Sequence, residues 1–485
     1  MLIDPSYHFD DLYVISDLHL GGEEGFQIFN QGDLLADFID HLRQLPGDRR
    51  VCLVINGDLV DFLAEPDPRH FDPTGAAGKL DRILADPSFD MILPSLQRFL
   101  LTSRRHLAVT LGNHDLELAL PWVRERLIER ISDGDATARS RLYTVFDGTG
   151  FQAKVGGLSV LCTHGNETDI LNVNDYERLR RIACQMAFGQ SPEAWIPNAG
   201  TQLVIDVMSE IKKRYRFVDL LKPELTAAVP VLLALRPEYV TEIGKLIPFG
   251  RRVVTDWVRR RIRLLGEDDA ESESSLEEEI EVRPLQEILG DAFGKETVEE
   301  LDEDYLKWVE DQLEAGTDPE SLAKDGERAL LGRQLRFSDA WKKLDIRERL
   351  RRALLYLQKE QDFSLKHQDP MFKRMDRLVG KSVDVVITGH THKPRSIPRS
   401  GGHYFNSGSW IQRIRSGSLA LDDKEAFNEV YGDLSEGSQS RLTRYVEQEP
   451  VVVSICRAEG AVKGAIQRVG RFPSGLLEPV PDSEM

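Results

Sequence analysis

The sequence predicts an α/β protein of layered sheets and helices carrying a long helical insertion, and three features point to it. Short apolar runs alternate with amphipathic ones from residue 11 to about 170, a charged stretch without strand pattern fills about 171 to 380, and strand pattern then returns. LYVIS (12–16), VCLVI (51–55), HLAVTL (106–111) and LSVLC (158–162) are rich in branched or aromatic residues and end in polar residues or glycine, as buried strands do. LLADFIDHLRQL (34–45) and the segments near 80–101 and 116–131 read as helices between them. Repetition of strand, helix and strand argues for a layered α/β fold.

The middle of the chain has a different character. From Trp341 to Gln358, Ile346, Leu350, Leu354 and Leu357 recur three to four residues apart, which predicts an amphipathic helix with arginines on its outer face. RRVVTDWVRRRIRLL (251–265) is a second, strongly basic helix candidate, and EDDAESESSLEEEIE (267–281) after it has the charge and serine content of a solvated linker. VDVVIT (383–388), HYFN (403–406) and VVVSIC (451–456) restore the strand pattern. The expected division is therefore a core built from 1–170 and 381–475, an insertion or cap over 171–380, and a tail at 476–485.

Composition narrows the function classes. Hydrophobic residues make up 41% of 485, ample for a buried core, and a formal charge of −19 would repel an anionic polymer on average, so any nucleic-acid contact must be local. Cys52, Cys162, Cys184 and Cys456 show no CxxC spacing and read as reduced, buried thiols, which suits the cytoplasm. The opening MLIDPSYHFDDLYV carries acids where a secretory leader needs a basic start and an apolar stretch. No segment offers the roughly 18 uninterrupted apolar residues of a membrane span. LTAAVPVLLAL (225–235) comes nearest, and it is short and contains Pro230. Peripheral contact with a membrane through the basic segment stays open.

Five short stretches carry the chemistry: Asp17-Leu18-His19, Gly57-Asp58-Leu59-Val60-Asp61, Gly112-Asn113-His114-Asp115, Thr163-His164-Gly165 and Gly389-His390-Thr391-His392. Five of the eleven histidines fall inside them, and the first four stretches begin at the carboxyl ends of predicted strands, the edge where open α/β sheets bind ligands. Singly, each could be a strand end or a turn. Together they supply the carboxylate, imidazole and amide donors that a pair of divalent cations needs, with one carboxylate to share. Two cations about 3.5 to 4 Å apart cancel the charge of a phosphoryl group and lower the pKa of water between them.

In order and spacing these stretches resemble the calcineurin-like metallophosphoesterases, whose pattern is DxH, GDxxD, GNH(D/E), an isolated histidine and GHxH. The resemblance covers the two flanking segments and leaves the insertion unexplained. It implies a β-sheet sandwich flanked by helices and a phosphomono- or phosphodiester hydrolase acting by in-line attack of a metal-bridging hydroxide. It also implies that Asp17, His19 and His392 hold one ion, that Asp58 bridges, and that Asn113, His164 and His390 complete the second. By the same resemblance His114 assists the leaving group and Asp61 orients it. Manganese is the favoured metal, with iron, zinc and nickel as alternatives for such oxygen and nitrogen donors.

ISDLHLGG (15–22) and HGNETDILNVNDYERLRR (164–181) are similar to the branch containing UDP-2,3-diacylglucosamine pyrophosphohydrolases, but that branch typically has arginine where this chain has His114. The departure favours ordinary ester hydrolysis over pyrophosphate cleavage. A nuclease using the same metals, and a binding scaffold without turnover, are the other readings, although the scaffold's usual signature, a missing ligand, is absent. Arg178 or Arg181 is close enough to His164 in sequence to reach a substrate phosphate. Phe405 to Trp410 reads as the strand and turn that support the site, with Trp410 in the core.

Overall fold

The computed structural model describes residues 7–169, 171–221, 225–240, 243, 285–293, 341, 343–360, 362–458 and 460–485. Its strands are β1 His8–Phe9, β2 Asp11–Ile15, β3 Val51–Asn56, β4 Arg105–Thr110, β5 Leu142–Val145, β6 Phe151–Val155, β7 Leu158–Cys162, β8 Val385–Thr388, β9 Arg395–Arg399, β10 Gly402–Asn406, β11 Arg413–Ile414, β12 Val446–Glu447, β13 Val451–Ala458, β14 Ala461–Phe472 and β15 Gly475–Pro479. They form a seven-stranded sheet in the order β15-β14-β13-β2-β3-β4-β5 and a six-stranded sheet in the order β1-β6-β7-β8-β10-β9, with β11 and β12 paired apart.

The two large sheets pack face to face. Leu12, Val14, Cys52, Val54 and Ala108 of the first meet Phe151, Ala153, Val155, Val160, Cys162, Val385, Ile387 and Phe405 of the second in one buried cluster. The alternate residues Tyr13, Ile15, Leu53, Ile55, Leu107 and Val109 turn to the other face and are covered by helices Gly32–Arg43, Ile92–Leu101 and Pro121–Ser132. Both faces of β2, β3 and β4 are therefore buried, which is why their sequences are nearly continuous apolar runs. Helix Pro370–Leu378 covers the outside of the second sheet, setting Met371, Phe372 and Met375 against Val386, Ile397 and Tyr404. This is a sheet sandwich flanked by helices, the fold class the sequence predicts.

The helices follow their side-chain spacing. Leu35, Phe38, Ile39 and Leu42 line one face of Gly32–Arg43, with Asp33 in its first turn and Arg43 in its last, both favourable to the helix dipole. The helix expected near 80–101 is two, Ala76–Leu84 and Ile92–Leu101, because Pro87 lacks the amide a continuous helix would require. The one expected at 116–131 begins as a 3-10 turn, Leu116–Ala119, and becomes α-helical at Pro121. Asp369 caps the helix that starts at Pro370 by accepting from Phe372 N at 2.9 Å, worth about 1 kcal/mol.

Parallel pairing of β7 with β8, Val160 opposite Val385, joins segments that lie on either side of the insertion. Within the insertion, helices Leu225–Leu235 and Ile346–Glu360 share an apolar core with Phe427, Val430 and Leu434 of helix Lys424–Glu436. Pro230 is accommodated inside its helix. The basic 251–265 segment and the acidic 267–281 segment lie outside the described residues. No helix among the described residues is long and apolar enough to cross a membrane.

Candidate metal centre

The ligand stretches converge at one edge of the sandwich, and each sits just past a strand end. Asp17 follows β2, Asp58 follows β3, Asn113 follows β4, His164 follows β7 and His390 follows β8. The seven-stranded sheet thus presents the first three and the six-stranded sheet the last two. Asp17, His19, Asp58, His390 and His392 all have positive φ, between 46 and 67°. Among the described residues ten non-glycine positions do so, and half of them are here, so backbone strain is concentrated at this edge.

Three overlapping groups bring donor atoms together: Asp17 with His19 and His392, His19 with Asp58 and His114, and Asp17 with Asp58 and His164. His392 Nε2 lies 3.5 Å from Asp17 Oδ1, His19 Nε2 lies 3.5 Å from Asp58 Oδ2, and His164 Nε2 lies 3.2 Å from the same Asp58 oxygen. Asp58 therefore stands between the groups. Its other oxygen accepts from His114 N at 2.8 Å, which fixes the carboxylate. Asp17 Oδ1, His19 Nε2, Asn113 Oδ1 and His164 Nε2 are buried without a hydrogen-bond partner. Such groups are costly to bury unpaired, and cations among them would satisfy all four. The donor set fits divalent metal.

His390 is placed differently. Its backbone N donates to Asp17 Oδ2 at 3.0 Å and its ring lies 5.3 Å from that of His164, but its Nε2 is 2.7 Å from Asp169 Oδ2. Asp61 holds two imidazoles at once, with Oδ2 at 3.0 Å from both His19 Nδ1 and His114 Nδ1. Its Oδ1 accepts from Leu63 N and Ala64 N, each at 3.0 Å.

The charges respond to this packing. Burial alone would raise the Asp58 carboxyl, but His164, His114 and His19 hold it well below the usual carboxylate range. Burial would likewise raise Asp61, and His114 followed by His19 keeps it low. Burial by itself would lower His164, yet Asp58 raises it to about 10. Metal binding must displace such protons, so affinity should climb with pH.

Glycines make the close packing feasible. A Cβ on Gly112 would collide with the Asp58 carboxylate and backbone, and one on Gly389 would lie 2.6 Å from Asp17 Oδ2. Asp115 ties two of these loops together by accepting from Leu59 N at 2.9 Å and Gly112 N at 2.7 Å. Asn406 braces the Gly389 turn, donating to Gly389 O at 2.6 Å, and Trp410 is fully buried with Nε1 donating to Val451 O at 3.0 Å. Arg178 and Arg181 both pair with Glu193, at 3.6 and 2.8 Å. Of the cysteines, Cys52 and Cys162 are buried, but Cys184 is exposed, on a helix face that a strand pattern could not reveal. Asp169 is the residue at the site that sequence reasoning missed.

A donor cluster of this kind at the strand ends of a sheet sandwich defines a metal-dependent phosphoester hydrolase. Residues 11–224 match the family model of the calcineurin-like phosphoesterases. The match implies two divalent metal ions and a phosphoester substrate. No curated protein matches the chain. Among solved structures, a dimetal phosphatase from Danio rerio aligns over 98% of both chains at 11% identity with a TM-score of 0.31, a likeness that carries no argument about this chain.

Proposed function

We propose that this chain hydrolyses a phosphomono- or phosphodiester at a dinuclear centre held by Asp17, His19, Asp58, Asn113, His164, His390 and His392, with manganese the favoured metal. The observation that carries the reading is the set of buried, unpartnered donor atoms around Asp58. Two divalent ions held by these residues would supply charge neutralisation for the phosphoryl oxygens and a more acidic water. The chain's own residues supply the rest. Asp61 fixes His114 through Nδ1, which leaves Nε2 to deliver a proton to the departing oxygen, an effect worth about 10²- to 10⁴-fold.

His114 and Asp61 form one side of a cleft that Phe26, Leu63, Val204 and Met208 also line. Val204 and Met208 belong to a π-helical turn, Leu203–Met208, so the insertion contributes a wall beside the leaving group. Lys212 and Arg216 at the same cleft are paired with Asp219 and Glu23, at 3.4 and 2.9 Å, which leaves no unbalanced basic track there among the described residues for a polynucleotide. The reading includes 1–170 with 381–475 as the catalytic core, 171–380 as its cap, and a cytoplasmic setting consistent with four unbridged cysteines.

The test is manganese-loaded protein assayed on p-nitrophenyl phosphate, its bis-ester, a UDP-linked sugar, and single- and double-stranded DNA. Cleavage of a simple ester is expected. DNA cleavage that collapses with added salt would move the assignment to a nuclease, cleavage of the UDP-linked sugar alone to a pyrophosphohydrolase, and no cleavage after full loading to a binding scaffold.

A further inference from the structure

Asp169 lies five residues beyond His164, after the 3-10 turn Asn166–Thr168, where the chain leaves the sandwich for the insertion. Its Oδ2 meets His390 Nε2 at 2.7 Å, a ring that is otherwise nearly enclosed, with 9% of the side chain exposed. The carboxylate is itself held, because Leu171 N donates to Oδ1 at 2.9 Å and Asn172 Nδ2 to Oδ2 at 2.7 Å. The contact is therefore built from both sides.

A neutral imidazole that binds metal through one nitrogen carries its proton on the other, and an outer carboxylate commonly fixes which is which. With Nε2 committed to Asp169, Nδ1 is the nitrogen of His390 that keeps a lone pair. The backbone N of the same residue is anchored on Asp17, so the ring has little freedom beyond rotation about its side-chain bonds.

The connection continues into the insertion. Asn172 O accepts from Asn166 Nδ2 at 3.1 Å and from Asn198 Nδ2 at 3.3 Å, and Asn198 Oδ1 caps the next helix by accepting from Thr201 N at 2.8 Å. That helix, Ala199–Gln202, runs directly into the π-helical turn at the cleft.

Resting on the dinuclear reading above, we propose that Asp169 is the positioning residue for the second ion. It accepts a hydrogen bond from the Nε2–H of His390 so that Nδ1 becomes the ligating atom, and through Asn172 and Asn198 it ties that ligand to the wall of the cleft. The role is to orient a ligand, not to touch substrate.

The full-length protein and its D169A and D169N variants would be titrated with Mn²⁺ alone, following binding by calorimetry and the metal pair by electron paramagnetic resonance. Wild type should bind two ions and show the exchange-coupled signal of a pair. D169A should keep the first ion, bind the second about 10- to 100-fold more weakly, and show a mononuclear signal at matched loading. D169N, whose single amide oxygen can accept from His390 and Asn172 only by giving up the Leu171 N bond, should recover part of the second ion, and its near-identical shape guards against simple loss of fold. D169A that binds both ions within threefold of wild type, with the coupled signal intact, would overturn the proposal. So would equal loss of both ions in D169N and D169A, which would give Asp169 a general structural role. Wild type that binds no manganese would sink the dinuclear reading and this inference with it, whereas a normal wild type beside a normal D169A sinks this inference alone.

Discussion

Asp61→Asn changes no volume and should nevertheless disable two histidines. In the native site Asp61 Oδ1 is satisfied by the Leu63 and Ala64 amides, and an asparagine carbonyl can keep both bonds, so the 61–64 turn should survive. The other oxygen becomes an NH₂ facing His19 Nδ1 and His114 Nδ1, each 3.0 Å away. A donor there makes each Nδ1 an acceptor and moves its proton to Nε2. For His19 that removes the lone pair directed toward Asp17 and Asp58, and loss of an outer carboxylate of this kind weakens metal binding about 10- to 100-fold. For His114 it removes the anion that favours the charged, proton-donating ring. Loss of that assistance lowers turnover about 10²- to 10⁴-fold, or about 3 to 5 kcal/mol of barrier. Manganese titration, turnover of p-nitrophenyl phosphate at saturating metal, and the melting temperature of the metal-free protein would separate these effects. D61N that binds two ions as wild type does, and turns over within threefold of it, would refute the reasoning.

Other substitutions read different parts of the structure. Asp58→Ala should lose metal and activity together, whereas His114→Ala should keep both ions and lose about 10²- to 10⁴-fold in turnover; metal analysis beside steady-state kinetics distinguishes them. Gly112→Ala places a methyl group against the Asp58 carboxylate, so bound metal should fall at least about tenfold, as expected when a ligand is displaced from its support, read by calorimetry. Glu117 offers a pH test. Burial raises its carboxyl from 4.5 to about 7, so the folded protein holds a proton that the unfolded chain has released, and stability is lost as pH rises through that window. At about 1.4 kcal/mol per unit the loss is about 3 kcal/mol. Glu117→Gln, which can still accept from Asp72 N, should therefore match wild type near pH 4 and exceed it at pH 8 in denaturant titrations. A pH-independent difference would show that Glu117 is not the titrating group.

How much of this was legible in the sequence depends on how local each signal is. VCLVI and HLAVTL announced central strands because burial on both faces makes every residue apolar. FQAKV hid strand β6, since its outward Gln152 and half-exposed Lys154 interrupt the pattern, and AVKGAIQRVGRF hid the long β14 for the same reason, with polar residues alternating through it. The donor cluster was readable because each stretch packs its donors within a few residues of a strand end. Their supports were not. Asp169 reaches His390 across the insertion, Asp61 serves His19 as well as His114, and Asp115 ties the Asp58 loop to its own. Those roles come from tertiary contacts that no spacing along the chain encodes. Glu193 within reach of both Arg178 and Arg181 is a further contact of this kind.

Anomalous diffraction from a manganese-soaked crystal would test the central claim most directly. Two peaks about 3.5 to 4 Å apart, flanking the Asp58 carboxylate and within bonding reach of His19, His164 and His392, are what the structure predicts. No peak there, or a single ion away from Asp58, would contradict it.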